Sequence, residues 1–405
     1  MEATPQRGAV FVLPTVAAGQ QGPVAAWVST AGWAAAARRV LGESWIVTPA
    51  GVTTPDDARR RGSDPALSPL PEQSWRRRVP TVVKTALKDV RQWRRARRFH
   101  VDATPWRDRG VQFVWQRHEL FADAGITLAR ALGVPAVVFV PATHVWEAAQ
   151  WGVRRPGWGR VLERTAEAAP LRRADLVACG TDVVAAEVRR LGVNADRIVV
   201  TPTGVDVDAF ARGDGRAATR EALGLEDRFV VGWVGSFRRF HALDQLVAAA
   251  RDVPGCALLM VGDGPERPRV EALARAHGVC AVFTGTVPHA DMARHLAAMD
   301  AAVVVAERDS VFHYSPLKLA EYLAAGLAVV VPRVPQLDAR LHDGVDALVV
   351  APGDASALRD ALVALACDPA RRARLGAAAR AAARANWSWD EAIRLIVARL
   401  PGSGP

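Results

Sequence analysis

Ser315-Pro-Leu-Lys-Leu-Ala-Glu-Tyr-Leu-Ala-Ala-Gly326 reads as a helix with both ends marked. Ser315 is a preferred N-cap, Pro316 suits the first helical position because its missing N–H would go unpaired there anyway, and Gly326 is a natural stop. Leu317 opens the apolar run. Lys318 and Glu321, three residues apart, share a face near a helix start whose free N–H groups attract anions, so they offer a cation for phosphate and a carboxylate for sugar hydroxyls. Residues 327–331 follow as a buried strand, which places the helix in an alternating α/β layer.

The same alternation runs through the whole chain. Short β-rich runs at 9–13, 44–47, 111–115, 136–140, 176–178 and 198–201 alternate with helical stretches at 24–41, 79–99, 121–132, 160–173 and 182–191. A second series has strands at 229–234, 257–261, 281–283, 301–305, 327–331 and 347–350, with helices at 243–251, 266–277, 291–299, 316–325 and 355–367. This pattern predicts parallel sheets with helices on both faces. The polar, glycine-bearing run 204–224 reads as a linker, 375–385 as a solvated helix and 387–400 as a last helix. The expected divisions are 1–204, 205–385 and 386–405.

At 405 residues, half of them hydrophobic, two ordinary cores are affordable. No apolar run reaches the ~18 residues of a membrane span. The N-terminus lacks a signal-peptide pattern, and four scattered cysteines form no Cys-x-x-Cys pair, so a reducing cytoplasm is the expected setting and no metal site is expected.

The net charge of +10 is concentrated: twelve Lys or Arg against three Asp lie between Trp75 and Arg109. Val79, Val82, Val83, Ala86, Leu87, Val90 and Trp93 make one helical stripe, with Lys84, Lys88, Arg91, Arg95 and Arg98 off it. Such a stripe packs on its own core or rests on an anionic membrane surface at the inner membrane face. Periodicity fits both, and packing on the core is the reading taken here. With no base-reading module or zinc spacing, specific nucleic-acid binding is not expected.

In open parallel sheets, ligands bind beyond the carboxyl ends of the strands. Loops there carry Gly235-Ser236-Phe237-Arg238-Arg239-Phe240-His241, Gly262-Asp263-Gly264-Pro265, Gly285-Thr286-Val287-Pro288 and residues 307–315. Glycine lets backbone approach a bound phosphate closely. Together with 315–326, this series resembles the donor site of family 4 glycosyltransferases. The first half resembles the family more loosely, at 133–147, 173–175 and 201–206.

That resemblance implies the GT-B fold, two facing Rossmann-like domains with a C-terminal helix crossing back to the N-terminal one. It also implies transfer of a sugar, with retention and without a metal or other cofactor, from a nucleotide diphosphate sugar to an acceptor in the interdomain cleft. The acceptor class stays open among glycan, lipid-linked and small molecule, and domain closure is expected. By the same resemblance Glu321 holds the ribose, the Val287 backbone meets the base, and Ser315 to Lys318 face the diphosphate; because negative charge grows on that leaving group, Arg238 and Lys318 are the candidate cations that stabilise it. Gly235, Ser236, His241, Gly262, Asp263, Gly264 and His313 complete the donor side; Gly22, His144 and Glu147 are the acceptor-side candidates.

Four positions depart from the family pattern. Ser236 and His241 stand where an Arg and a Lys are common, His313 replaces the first of two glutamates eight apart, and His144 comes three residues later than a frequent histidine. A donor-binding relative with altered chemistry, an epimerase or a scaffold, is therefore the alternative reading.

Overall fold

The structure is a computed structural model and describes residues 7–14, 24–62, 80–201, 203–210, 215–308 and 317–401. The chain divides into two compact units, one comprising Met1–Gly204 with Trp389–Pro405, the other Val205–Phe312 with Pro316–Ser388.

In the first unit β1 (Arg7–Val12), β2 (Gly42–Thr48), β3 (Gly51–Thr53), β4 (Val111–Arg117), β5 (Ala136–Val140), β6 (Leu176–Cys179) and β7 (Ile198–Val200) form one sheet in the order β3-β2-β1-β4-β5-β6-β7. All its pairings are parallel except that of the edge strand β3, which pairs antiparallel with β2. In the second unit β8 (Phe229–Val234), β9 (Cys256–Val261), β10 (Ala281–Gly285), β11 (Ala301–Val303), β12 (Ala328–Pro332) and β13 (Leu348–Val350) form a parallel sheet ordered β10-β9-β8-β11-β12-β13. Both orders contain the dinucleotide-fold sequence 3-2-1-4-5-6, whose direction reverses between the first strand and the fourth. The central strands are buried on both faces, as their unbroken Val/Ala/Leu runs require.

The final helix, Trp389–Arg399, belongs to the first unit, as its expected return to the N-terminal domain demanded. Trp389 packs at a tilt against Trp33 with ring centroids 5.0 Å apart, and Trp33 continues to Trp115 and Phe139. A Cβ added to Gly32 or Gly204 would stand 2.4 or 2.5 Å from the Trp389 indole, so both glycines make room for that ring.

Several local readings change. Residues 160–173 are not one α-helix: Glu163–Ala168 is a π-helical turn between Gly159–Leu162 and Ala169–Arg173. The inserted turn directs Glu167 inward. Part of the expected linker is a helix, Arg216–Leu223, clamped by Asp300, which bonds Arg216 and Arg220 at 2.6 Å each and accepts the Val230 N–H at 2.8 Å. The Ala/Arg helix Pro369–Asn386 is not simply solvated, because Leu375, Gly376, Ala379 and Ala383 are buried along one side.

The apolar stripe of the basic segment does not pack on the core. In the helix Thr81–Arg98 the buried residues are Thr85 and Asp89, while Val82, Val83, Leu87, Val90 and Trp93 are 36–53% exposed. The physical reason is Asp89, whose carboxylate is held by Arg155 at 2.9 and 3.1 Å and by the Trp158 indole N–H at 3.0 Å. That network turns the polar side inward. Val79 lies outside the described residues.

Candidate functional site

In the second unit the sheet direction reverses between β8 and β11, and the crevice beyond their carboxyl ends is where this topology binds ligands. The loop after β8 starts at Gly235, and the chain after β11 leads into the helix Leu317–Ala324, which begins with Leu317 and Lys318. Lys318 and Gly235 therefore meet at the switch point. The Lys318 ammonium lies 4.2 Å from the centroid of the Trp233 ring, and a Cβ on Gly235 would stand 2.7 Å from that ring and 3.0 Å from Nζ. Only glycine leaves this place open to a ligand.

Burial pushes the Lys318 pKa down to about 7, with nearby Glu321 pulling it back up. Among the described residues no carboxylate lies within ion-pair distance of Nζ. A desolvated cation facing a glycine-lined edge is an arrangement completed by an anion.

Glu321, one turn on, is 4% exposed, and its Oε1 lies 2.9 Å from His289 Nε2. It is thus no solvated partner of Lys318. His289 packs edge-on against Phe210 at 5.8 Å, which fixes the imidazole and through it the carboxylate. Tyr322, fully buried, accepts the Val234 N–H at 2.7 Å and ties the helix to the end of β8.

The glycine loops are packed backbone on backbone. Gly262 has φ +123, and a Cβ there would meet the Gly235 carbonyl oxygen at 2.0 Å; one on Gly264 would meet the Ser236 oxygen at 1.8 Å. Gly235 N–H donates to Val261 O at 2.9 Å, Gly262 N–H to Gly285 O at 2.8 Å and Glu266 N–H to Phe237 O at 3.0 Å, so the edges of β8, β9 and β10 form one stitched rim. Asp263 is spent locally, accepting the Gly264 N–H at 2.7 Å. Val287 follows β10 at this rim, two residues before His289.

Ser236 and Arg238 are exposed on the first loop. His241 is buried against Trp233 and Phe240, and its Nδ1 accepts the Arg238 N–H at 3.2 Å. Burial, then the charges of Lys318 and Arg238, push its pKa down to about 2. It is neutral at physiological pH, so it braces the loop without adding charge. Arg238, His241, Lys318 and Glu321 thus share one neighbourhood, while His313, Ser315 and Pro316 lie outside the described residues.

In the first unit, the corresponding reversal lies between β1 and β4. His118 and Glu119 follow β4 directly. Buried His118 bonds buried Glu167 at 3.1 Å; Glu167 also accepts the backbone N–H groups of His144 and, at 3.3 Å, Val145, which open the helix His144–Gln150. Burial opposes the Glu167 charge, yet its bonds to His118 and the two histidines hold the carboxyl below its usual range. His144 Nε2 lies 3.4 Å from Glu119 and 3.2 Å from the His118 carbonyl oxygen. Glu147 sits on the same helix; burial pushes the pKa of Arg117 down, and the charges of Glu119 and then Glu147 oppose that shift. Gly22 lies outside the described residues.

His289, His118, Glu119 and Glu167 were not singled out from the sequence. The carboxyl-end rule that picked the loops of the second half would have picked His118-Glu119 after β4. Nothing local marks His289 or Glu167.

Residues 228–368 match the family model for glycosyl transferases group 1, and residues 28–209 match that for glycosyltransferase family 4. A D-inositol 3-phosphate glycosyltransferase of Mycolicibacterium paratuberculosis is 31% identical over 308 residues, covering 68% of this chain and 69% of the relative. Among solved structures, Anabaena HepE in complex with UDP-glucose is similar with a TM-score of 0.66 at 15% identity, over 96% of this chain and 99% of that one. Sucrose-phosphate synthase of Thermosynechococcus elongatus has a TM-score of 0.63 at 21% identity, over 97% and 98%. At these identities the solved structures speak for the fold.

Proposed function

The chain belongs to the family 4 glycosyltransferases, and from that premise we propose that it is a retaining enzyme whose second unit takes a nucleotide diphosphate sugar and whose first unit presents an acceptor hydroxyl. The observation that carries this reading is the buried Lys318 ammonium at the switch point beside Gly235, which has no carboxylate within ion-pair distance among the described residues. As the bond to the sugar breaks, negative charge grows on the departing diphosphate. A fixed cation and backbone N–H groups at the start of Leu317–Ala324 stabilise that charge because they need no reorganisation when it develops. In this reading the cation is Lys318 rather than a metal ion, with exposed Arg238 beside it. Glu321, oriented by His289, receives the ribose hydroxyls. A reducing, cytoplasmic setting is part of the same reading, supported by four free cysteines.

Glu321→Ala tests the ribose role. It is expected to weaken nucleoside diphosphate binding about tenfold to a hundredfold in titration calorimetry, the range of hydrogen bonds made to a charged group. His289→Ala acts in the same direction and less strongly, because it loosens the carboxylate without removing it. Unchanged affinity in both would refute the assignment.

The Lys318 pKa sets a pH dependence. With an apoprotein pKa of about 7 the ammonium is charged below neutrality and neutral above it. A bound diphosphate favours the charged form, so binding above pH 7 takes up a proton and weakens as pH rises. Calorimetry at pH 8 in buffers of different ionisation enthalpy reads that proton; its absence in wild type, or its persistence in Lys318→Met, contradicts the assignment.

One observation favours a second reading, a relative that binds donor without transferring sugar: His241 is neutral where family members commonly carry Lys. Turnover of a nucleotide sugar with an acceptor panel separates the two.

A further inference from the structure

The helix Thr81–Arg98 stands on its polar side. Asp89, 4% exposed, is gripped by Arg155 and Trp158, and Gln92 reaches Glu119 at 3.4 Å, so the inward contacts are ionic and hydrogen-bonded. What faces outward is Val82, Val83, Leu87, Val90 and Trp93, half of the ten exposed large hydrophobic side chains among the described residues. Concentration on one helix makes them a patch rather than scattered surface residues.

The same helix carries Lys84, Lys88, Arg91, Arg94, Arg95, Arg97 and Arg98 against the single, already paired Asp89. Among the described residues none of these seven makes an ion pair, and Arg97 lies over the Trp93 ring at 5.5 Å. On the helix wheel most of the cations follow one long edge of the apolar sector. An outward apolar stripe bordered by cations matches a surface that is apolar inside and anionic at its rim.

We propose that this helix docks the protein on an anionic lipid bilayer, lying in the interface with Leu87, Val90 and Trp93 among the acyl chains and its cations on the headgroups. The inference is independent of the glycosyl-transfer reading, since it rests on no donor-site residue. A second copy of this chain is disfavoured as occupant because it would bring the same seven cations against these. An acidic protein could neutralise the charge, but the outward apolar side chains fit acyl chains, with Arg94 and Arg97 long enough to reach the headgroups from among them, and a nucleic acid offers no apolar medium at all. Interfacial helices hold by this sum of buried apolar area and attraction to anionic headgroups.

Cosedimentation of the full chain with vesicles tests the proposal. The protein is expected to pellet with phosphatidylglycerol–phosphatidylcholine vesicles, to stay in the supernatant with phosphatidylcholine alone, and to release in high salt. Leu87→Asp with Trp93→Asp should abolish pelleting, and Arg91→Gln with Arg95→Gln should lower the partition coefficient roughly 25-fold, about fivefold per basic residue. All four side chains are exposed, so the variants should melt as wild type does and bind nucleoside diphosphate unchanged. Equal recovery from both vesicle types overturns the proposal, as does binding that survives the Leu87/Trp93 change. Sedimentation velocity showing a dimer that the Leu87/Trp93 variant dissolves, without vesicle binding by wild type, would assign the face to a second copy and equally overturn it.

Discussion

Lys318→Met is expected to lower kcat for sugar transfer by about 10²–10³, the loss seen when one preorganised donor is removed from a site of developing negative charge, about 3–4 kcal/mol of barrier. The same variant should melt no lower than wild type, and that pairing distinguishes a functional cation from a structural one. Lys318 sits against the Trp233 ring with its pKa pushed down to about 7 by burial, so the folded apoprotein bears a cost for keeping a charge there. Methionine fills a similar volume without that cost. Where breaking a paired buried ion is destabilising, removing a buried ion that has no carboxylate within ion-pair distance among the described residues relieves the fold. A variant that kept its turnover, or lost activity only because it melted, would show Lys318 to be part of the scaffold.

The second large effect is on stability. Trp389→Ala should cost about 3–5 kcal/mol, because a buried indole is lost and the cavity is lined by groups already fixed. Trp389 is 3% exposed, packs against Trp33, and fills the space left by Gly32 and Gly204. Those neighbours cannot collapse inward: Trp33 is itself packed on Trp115 and Phe139. For a unit of this size the change corresponds to roughly 6–20 °C in Tm, read by calorimetry. A shift below about 2 °C would mean the final helix is an accessory to the first unit rather than part of its core.

The strands of both sheets were legible because a buried parallel strand is a short apolar run between helical stretches. β5 and β8 match their expected ranges residue for residue, and the others differ at their ends. β3 was not legible: three residues after a turn carry no periodicity, and its pairing exists only because β2 offers an edge. The helix Arg216–Leu223 was masked by the glycines around it, and its anchor, Asp300, lies some eighty residues away.

The basic helix shows the limit most plainly. Its stripe was read correctly as a face, but a 3.6-residue period does not say which face turns inward. That is decided by Asp89 meeting Arg155 and Trp158, a contact between distant segments. In the candidate site, the glycines, Lys318 and Glu321 could be picked out because loop chemistry and helix ends are local. His289 could not, since its role comes from meeting Glu321 across 32 residues. Glu167 was hidden for another reason: only the π-helical turn points it at His118.

The most direct test is a crystal structure of the protein with a bound nucleoside diphosphate. The account predicts a phosphate oxygen within hydrogen-bond reach of Lys318 Nζ and of the N–H groups opening Leu317–Ala324, with the ribose hydroxyls on the Glu321 carboxylate. A nucleotide held elsewhere, with Lys318 still resting on Trp233 and touching no phosphate, would contradict it.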